Sequence, residues 1–320
     1  MISEYALDPN LLAQRFSEEP YFFNNAFGVE GRILSQYPSS WKRAVWDAFA
    51  ASALGRNPLA RTKLEALMVK LSTSNSVRRG NSHGDIQDWL QRAQREHIDR
   101  PFRGILAGGN PADQTEIIPF DVLMEDGGHD LWCGTHSCQP LRQKASLAEA
   151  VASLLRCSRH IVFVDPYFAP QQLRFSDSIS EFVRVAMDRR SVPDVPRVDI
   201  ITTETDRHGT PLQGADLASA LVFLKDKCSE RIRPKIAAEI DVYLSVYLEI
   251  AGGQEIHERY ILTEIAAVKF GKGLDCELNQ ASTTRDDLVL LSYDVGQSLW
   301  EWYVSGQPKP FNVALSSYQI

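Results

Sequence analysis

The residues best suited to chemistry lie in Gln254-Glu255-Ile256-His257-Glu258-Arg259-Tyr260-Ile261-Leu262-Thr263-Glu264 and, after a short gap, in Phe270-Gly271-Lys272-Gly273-Leu274-Asp275. They place an imidazole, a guanidinium two positions on and a carboxylate five beyond that on a segment that reads as a β-strand leading into a hairpin. Residues i and i+2 of a strand share a face, so His257 and Arg259 are expected to project together. Such a pair suits phosphate, because the imidazole can attack or bind phosphorus while the guanidinium fork holds the non-bridging oxygens. Taken alone, a His-x-Arg in a strand is more often an edge feature or a satisfied structural pair. Gly271-Lys272-Gly273 alone is more often a tight hairpin than a phosphate loop.

From Ala145 onward the pattern supplies a framework for that hairpin. Ser146-Leu147-Ala148-Glu149 has the form of a capping box opening a helix through Cys157. His160 to Phe168 reads as a buried strand that ends in the turn Asp165-Pro166-Tyr167-Phe168. A helix from Ser178 to Asp188, a strand from Arg197 to Thr203, a helix from Gly214 to Lys227 and a strand from Ile240 to Ile250 come next. The hairpin, a strand from Asp287 to Ser292 and a helix from Val295 to Tyr303 complete the series. Strands alternating with helices specify an α/β fold, with a mixed or parallel sheet covered on both faces. Asp165 ends a strand on the expected active edge and can orient an imidazole; Glu204 and Glu255 compete for that role. His208-Gly209 reads as a turn, and Trp300 and Trp302 as core and interface residues, not base-stacking platforms.

The spacing His257-x-Arg259-x4-Glu264-x6-Gly271 resembles the H-x-K-x4-D-x6-G-S-x-N motif of the phospholipase D superfamily. The run His-x-Arg-Tyr-Ile followed by Gly-Lys-Gly-Leu-Asp resembles a divergent branch of it, which includes the phospholipase-D-like C-terminal domain of MIT-domain proteins and bacterial defence-associated relatives. Arg259 stands in place of Lys, Glu264 of Asp, Lys272 of Ser and Leu274 of Asn, while His257 and Gly271 are identical. The resemblance covers about residues 145–320 and implies a phospholipase-D-like mixed β-sheet flanked by helices.

For function, the resemblance implies a metal-independent phosphodiesterase, in concrete form a nuclease effector of a bacterial defence system acting through a covalent phosphohistidine. His257 would be nucleophile or general acid, Arg259 would hold phosphate oxygens, and Glu264 would complete the motif. Lys272, Gly271 and Asp165 would meet the substrate. The family joins two motifs across a twofold axis, so the single copy here implies a homodimer. No metal or cofactor is called for. The alternative is a catalytically inactive adaptor or dimerisation module that binds a phosphate-bearing ligand or a protein partner. A further possibility is activity only in complex with a defence-system partner.

Residues 1–144 fall outside the resemblance and read as a mainly helical region with a small β element. A helix opens at Ser39-Ser40-Trp41 and carries Val45 and Phe49; a second runs from Pro58 to about Leu71. A third starts at Asp85 with Ile86, Trp89, Leu90 and Ala93. Arg100 to Ala107 and Glu116 to Leu123 read as extended, with Pro119 best placed on an edge. His129, Cys133, His136 and Cys138 form a metal-like cluster within ten residues. Their spacing matches no zinc motif, and crowding in one loop disfavours a tetrahedral site, so they read as incidental residues near an interdomain turn.

Composition bounds the classes. Apolar content of 44% and charged content of 23% are those of a globular protein. No apolar run approaches the roughly 20 residues that span a bilayer, and the N-terminus lacks the layout of a signal peptide, so a cytoplasmic protein without membrane contact is expected. Five cysteines, an odd number, suggest free thiols. Of the net charge of −7, most falls after Lys144, with 18 basic against 24 acidic residues. Nucleic acid, the expected substrate, would therefore have to be met by a local basic patch and not by the bulk field.

Overall fold

The computed structural model describes residues 1–28, 31–73, 76–125, 128–132, 134–204, 212–250, 256–306 and 310–320. The protein is a mixed α/β structure of two compact units, Met1–Thr135 with Arg189–Pro193, and His136–Asp188 with Asp194–Ile320.

The first unit runs β1 (Ser3–Leu7), α1 (Pro9–Arg15), α2 (Pro20–Asn25), β2 (Arg32–Gln36), α3 (Trp41–Ala51), α4 (Pro58–Thr73), β3 (Ser76–Arg78), α5 (Trp89–Asp99), β4 (Gly104–Ala107), β5 (Ile117–Pro119) and α6 (Phe120–Glu125). Its five strands are all parallel in the order β3-β2-β1-β4-β5. Helical residues outnumber strand residues here, and the short strands between the helices form a doubly wound parallel sheet. Alternate residues divide its faces. Tyr5, Leu7, Leu106 and Ile118 join a core with residues of α1 to α4 and α6, while Ala6, Ile105, Ala107 and Ile117 pack with Ala93 of α5.

The strands were hidden because β1 and β2 place polar residues in buried positions. Glu4 and Arg32 are both buried, as are Ser35 and Gln36. Glu4 is satisfied by Arg79, whose guanidinium also meets Glu96, with N···O distances of 2.6 and 2.9 Å. Pro119 lies on the edge strand β5, as its missing N–H requires. The extended reading to Leu123 fails at Phe120, where α6 begins.

The second unit runs β6 (Ser137–Cys138), α7 (Lys144–Ala150), α8 (Ala152–Cys157), β7 (His160–Val164), α9 (Leu173–Met187), β8 (Arg197–Thr202), α10 (Gly214–Arg231), β9 (Val242–Leu248), β10 (Arg259–Thr263), β11 (Ala267–Phe270), β12 (Leu288–Leu290), α11 (Tyr293–Trp300) and β13 (Asn312–Gln319). A π-helical turn, Glu301–Ser305, follows α11. The eight strands are ordered β13-β9-β8-β7-β10-β11-β12-β6. β7, β8 and β9 are parallel, and β10 returns antiparallel against β7.

Val162, Val164 and Leu262 face Leu299 and Tyr303, whereas Phe163 stacks on Phe182 of α9, so both faces of the central strands are covered. The expected capping box does not form: the helix starts at Lys144, before Ser146, and breaks at Val151. Trp300 and Trp302 are partly buried against the core.

Candidate anion-binding site

The hairpin and the end of β7 meet through sheet register. Tyr260 pairs with Val164, and one residue further along each strand stand Arg259 and Asp165. Arg259 also pairs with Phe270 of β11. Phe270 meets Phe182 edge-on at 5.9 Å, which sets Arg259 on the α9 face of the sheet. A cavity of about 290 Å³ opens there, lined by Arg142, Asp165, Tyr167, Arg174, Arg259 and Lys272, with Phe175, Asp275, Glu277 and Thr284 completing its wall.

Two of its cations are committed to neighbours. Arg142 is buried and binds Asp275 and Asp286 at 2.7 and 2.6 Å. Arg174 reaches the other oxygen of Asp275 at 3.2 Å and lies over the Phe175 ring at 5.2 Å. The other two are open. Among the described residues, neither Arg259 nor Lys272 has an ion pair, and the buried Nε of Arg259 has no hydrogen-bond acceptor. Arg259 instead lies over the ring of Tyr167, 4.8 Å from its centroid.

The loop that carries Lys272 is held from several sides. Gly271 N–H donates to the Asp287 carbonyl and Lys272 N–H to the Asp286 carboxylate, at 3.0 and 2.9 Å. Gly273 has φ +134°, and a Cβ there would stand 2.8 Å from the Asp275 carboxylate, so glycine is required. Asp165 accepts the N–H of Tyr167 at one oxygen and that of Leu274 at the other, both at 2.9 Å. Burial pushes its carboxyl above the ordinary value, against the pull of those two donors and of Arg259.

Arg259, Lys272 and Asp165 therefore share one cavity, with Gly271 at the start of its loop. His257 is exposed, lies before the first residue of β10, and is not among the lining residues. The two-residue alternation expected to carry it beside Arg259 applies within a strand and does not extend to it. Glu264 stands past the far end of β10, where its carboxylate accepts the N–H groups of Arg159 and His160 at 2.6 and 3.2 Å. It thereby satisfies backbone donors at the start of β7 and does not line the cavity.

Glu204 is half-buried with its carboxyl raised by burial, and is not in the lining either. Glu255 and the His208-Gly209 turn lie outside the described residues, as does Cys133 of the metal-like cluster. Among the described residues no three His, Cys, Asp or Glu form a metal-holding group, and Cys138 belongs to β6. Arg142 and Arg174 were missed. Arg142 meets its partners 133 and 144 positions away, a relation with no local signal.

A second cavity, of about 410 Å³, lies in the first unit beyond the C-terminal ends of β1 and β4, the switch point of its sheet. Asp8, Glu18 and Asp121 line it, and Arg15 is paired with both Glu18 and Asp121. The excess of carboxylates opposes phosphate. The turn after β1 reads Asp8-Pro9-Asn10, without the glycines of a dinucleotide fingerprint.

No protein-family model and no curated protein matches the chain. Among solved structures it is similar to TrmBL2, an archaeal chromatin protein described as showing a novel mode of DNA binding. The match covers 75% of this chain and 66% of that one, with 10% identity and a TM-score of 0.23. A likeness of that degree identifies no family. No helix among the described residues is long and apolar enough to cross a membrane.

Proposed function

We propose that the second unit is a phospholipase-D-like, metal-independent phosphodiesterase acting on nucleic acid, and that a bacterial defence nuclease is its concrete form. The observation that carries this reading is the cavity in which Arg259 and Lys272, neither with an ion pair among the described residues, converge. Two cations without an ion pair among the described residues give a phosphate two charges to meet in one cavity.

In this reading Arg259 and Lys272 hold the phosphate, and His257, which is outside the cavity lining, has to swing toward it. The imidazole of His257 attacks phosphorus, a N–P bond forms, and the P–O bond to the leaving group breaks. The departing oxygen takes a proton from His257 of a second copy. That imidazole then removes a proton from water, whose oxygen displaces the phosphohistidine nitrogen. An exposed His257 suits a residue completed by a second copy in a homodimer.

The second reading is a non-catalytic module that holds a phosphate-bearing ligand or a phosphorylated partner. It is favoured by the absence of His257 from the lining of the cavity. The test is incubation of the purified protein in EDTA with single-stranded DNA, duplex DNA, RNA and a bis-aryl phosphodiester, beside His257→Ala. Cleavage that survives EDTA and disappears in the variant is expected. Binding without cleavage by a folded dimer would leave the non-catalytic reading.

A further inference from the structure

The cavity offers more than charge. Tyr167 is 58% exposed at its wall, beside two cations that have no ion pair among the described residues. Its backbone is fixed: its N–H is held by Asp165 at 2.9 Å, and Phe168 N–H closes the turn onto the Asp165 carbonyl at 3.2 Å. The ring is oriented by the Arg259 guanidinium lying over it. A phosphate bound by Arg259 is therefore within one nucleotide's reach of an exposed aromatic surface that is already ordered.

We propose that Tyr167 is a base-stacking platform that makes the site specific for single-stranded nucleic acid, with an unpaired base lying on the Tyr167 ring while Arg259 and Lys272 hold the adjoining phosphate. This rests on the phosphate reading of the cavity and names the substrate form. Arg259 serves both halves, because its guanidinium stacks on the ring and carries the charge that draws the phosphate.

Single strands suit this arrangement and duplexes do not. Every base has a π-face, so an aromatic ring beside a cationic groove binds unpaired strands with little sequence preference. In a duplex the bases are stacked on one another and offer no free face to an aromatic ring. Tyr167 would then gain nothing. A cavity of about 290 Å³ likewise admits a phosphate and sugar but not a double helix. A simple phosphate diester or a lipid headgroup would use the cations and leave the ring idle.

The test is fluorescence anisotropy of the full chain in EDTA with a labelled twelve-residue oligothymidine, an abasic strand of the same length and a duplex. Wild type would be compared with Tyr167→Ala, Tyr167→Phe and Arg259→Ala. Tyr167→Ala is expected to weaken the intact strand about tenfold to a hundredfold, as loss of one base stack does. It should leave the abasic strand unchanged, and Tyr167→Phe should bind as wild type does. Arg259→Ala should weaken both strands. Equal affinity of wild type for duplex and single strand would overturn the proposal, as would a Tyr167→Ala variant that binds the intact strand normally or loses intact and abasic strands equally. If Arg259→Ala alone matters, the phosphate reading stands without the platform. If wild type binds none of the three probes, both fall.

Discussion

Leu274 donates its backbone N–H to the carboxylate of Asp165 at 2.9 Å, across 109 positions of sequence. This bond fixes the glycine-rich loop against the end of β7, so the cation on the loop and the cation on β10 open into one cavity. It also keeps a titratable group in the lining of the candidate site.

Acidification should strengthen anion binding through Asp165. Burial raises its carboxyl, so it gains a proton at a higher pH than an exposed aspartate, and the neutral form no longer repels a phosphodiester. Diester affinity is expected to rise as pH falls through that raised value, and to be independent of Asp165 in Asp165→Asn. The linked effect on folding has a definite sign. The stability that a raised carboxyl contributes is present below the unfolded pKa and is lost as pH rises through the folded one. Titrations of oligonucleotide affinity and of thermal midpoint upward from the ordinary aspartate range measure both.

Arg259→Met should separate stability from binding. Arg259 has no ion pair among the described residues and a buried Nε without an acceptor. Replacing it with an apolar side chain of similar length is expected to leave the thermal midpoint unchanged or higher. Diester affinity should fall by about tenfold or more, as for loss of a charged hydrogen bond worth roughly 1.5–3 kcal/mol. A midpoint several degrees lower would mean that Arg259 is structural.

Arg142→Ala should do the reverse. Its guanidinium joins Asp275 and Asp286, both buried, and removal leaves Asp286 without its cation and Asp275 with Arg174 alone. A loss of about 3–5 kcal/mol is expected in denaturant unfolding, much less with Arg142→Lys. Binding should decline only as the loop loosens.

Glu264→Ala tests whether this carboxylate serves chemistry or structure. Its exposed hydrogen bonds to the Arg159 and His160 amides predict a loss of about 0.5–1.5 kcal/mol of stability. Diester affinity and any cleavage should survive at temperatures where the variant is folded. Activity lost without loss of stability would return Glu264 to the reacting centre.

The alternation of strands and helices after residue 145 was legible because β7 and β8 are runs of buried branched and aromatic residues, and because the helices repeat on their own period. Arg259, Lys272 and Asp165 entered the reading through the motif resemblance, and the structure places all three on the lining of one cavity. The parallel sheet of the first unit was not legible. Glu4 and Arg32 are costly in a buried strand until distant partners satisfy them, and Arg79 lies 75 positions from Glu4. The same holds for Arg142 and Arg174, brought to the cavity by partners more than 100 positions away. Periodicity is a local property and fixes which face a residue takes within its own strand or helix. It could not show that β10 begins only at Arg259 and leaves His257 outside it, because strand ends are set by pairing with β7 and β11, which only the tertiary structure supplies.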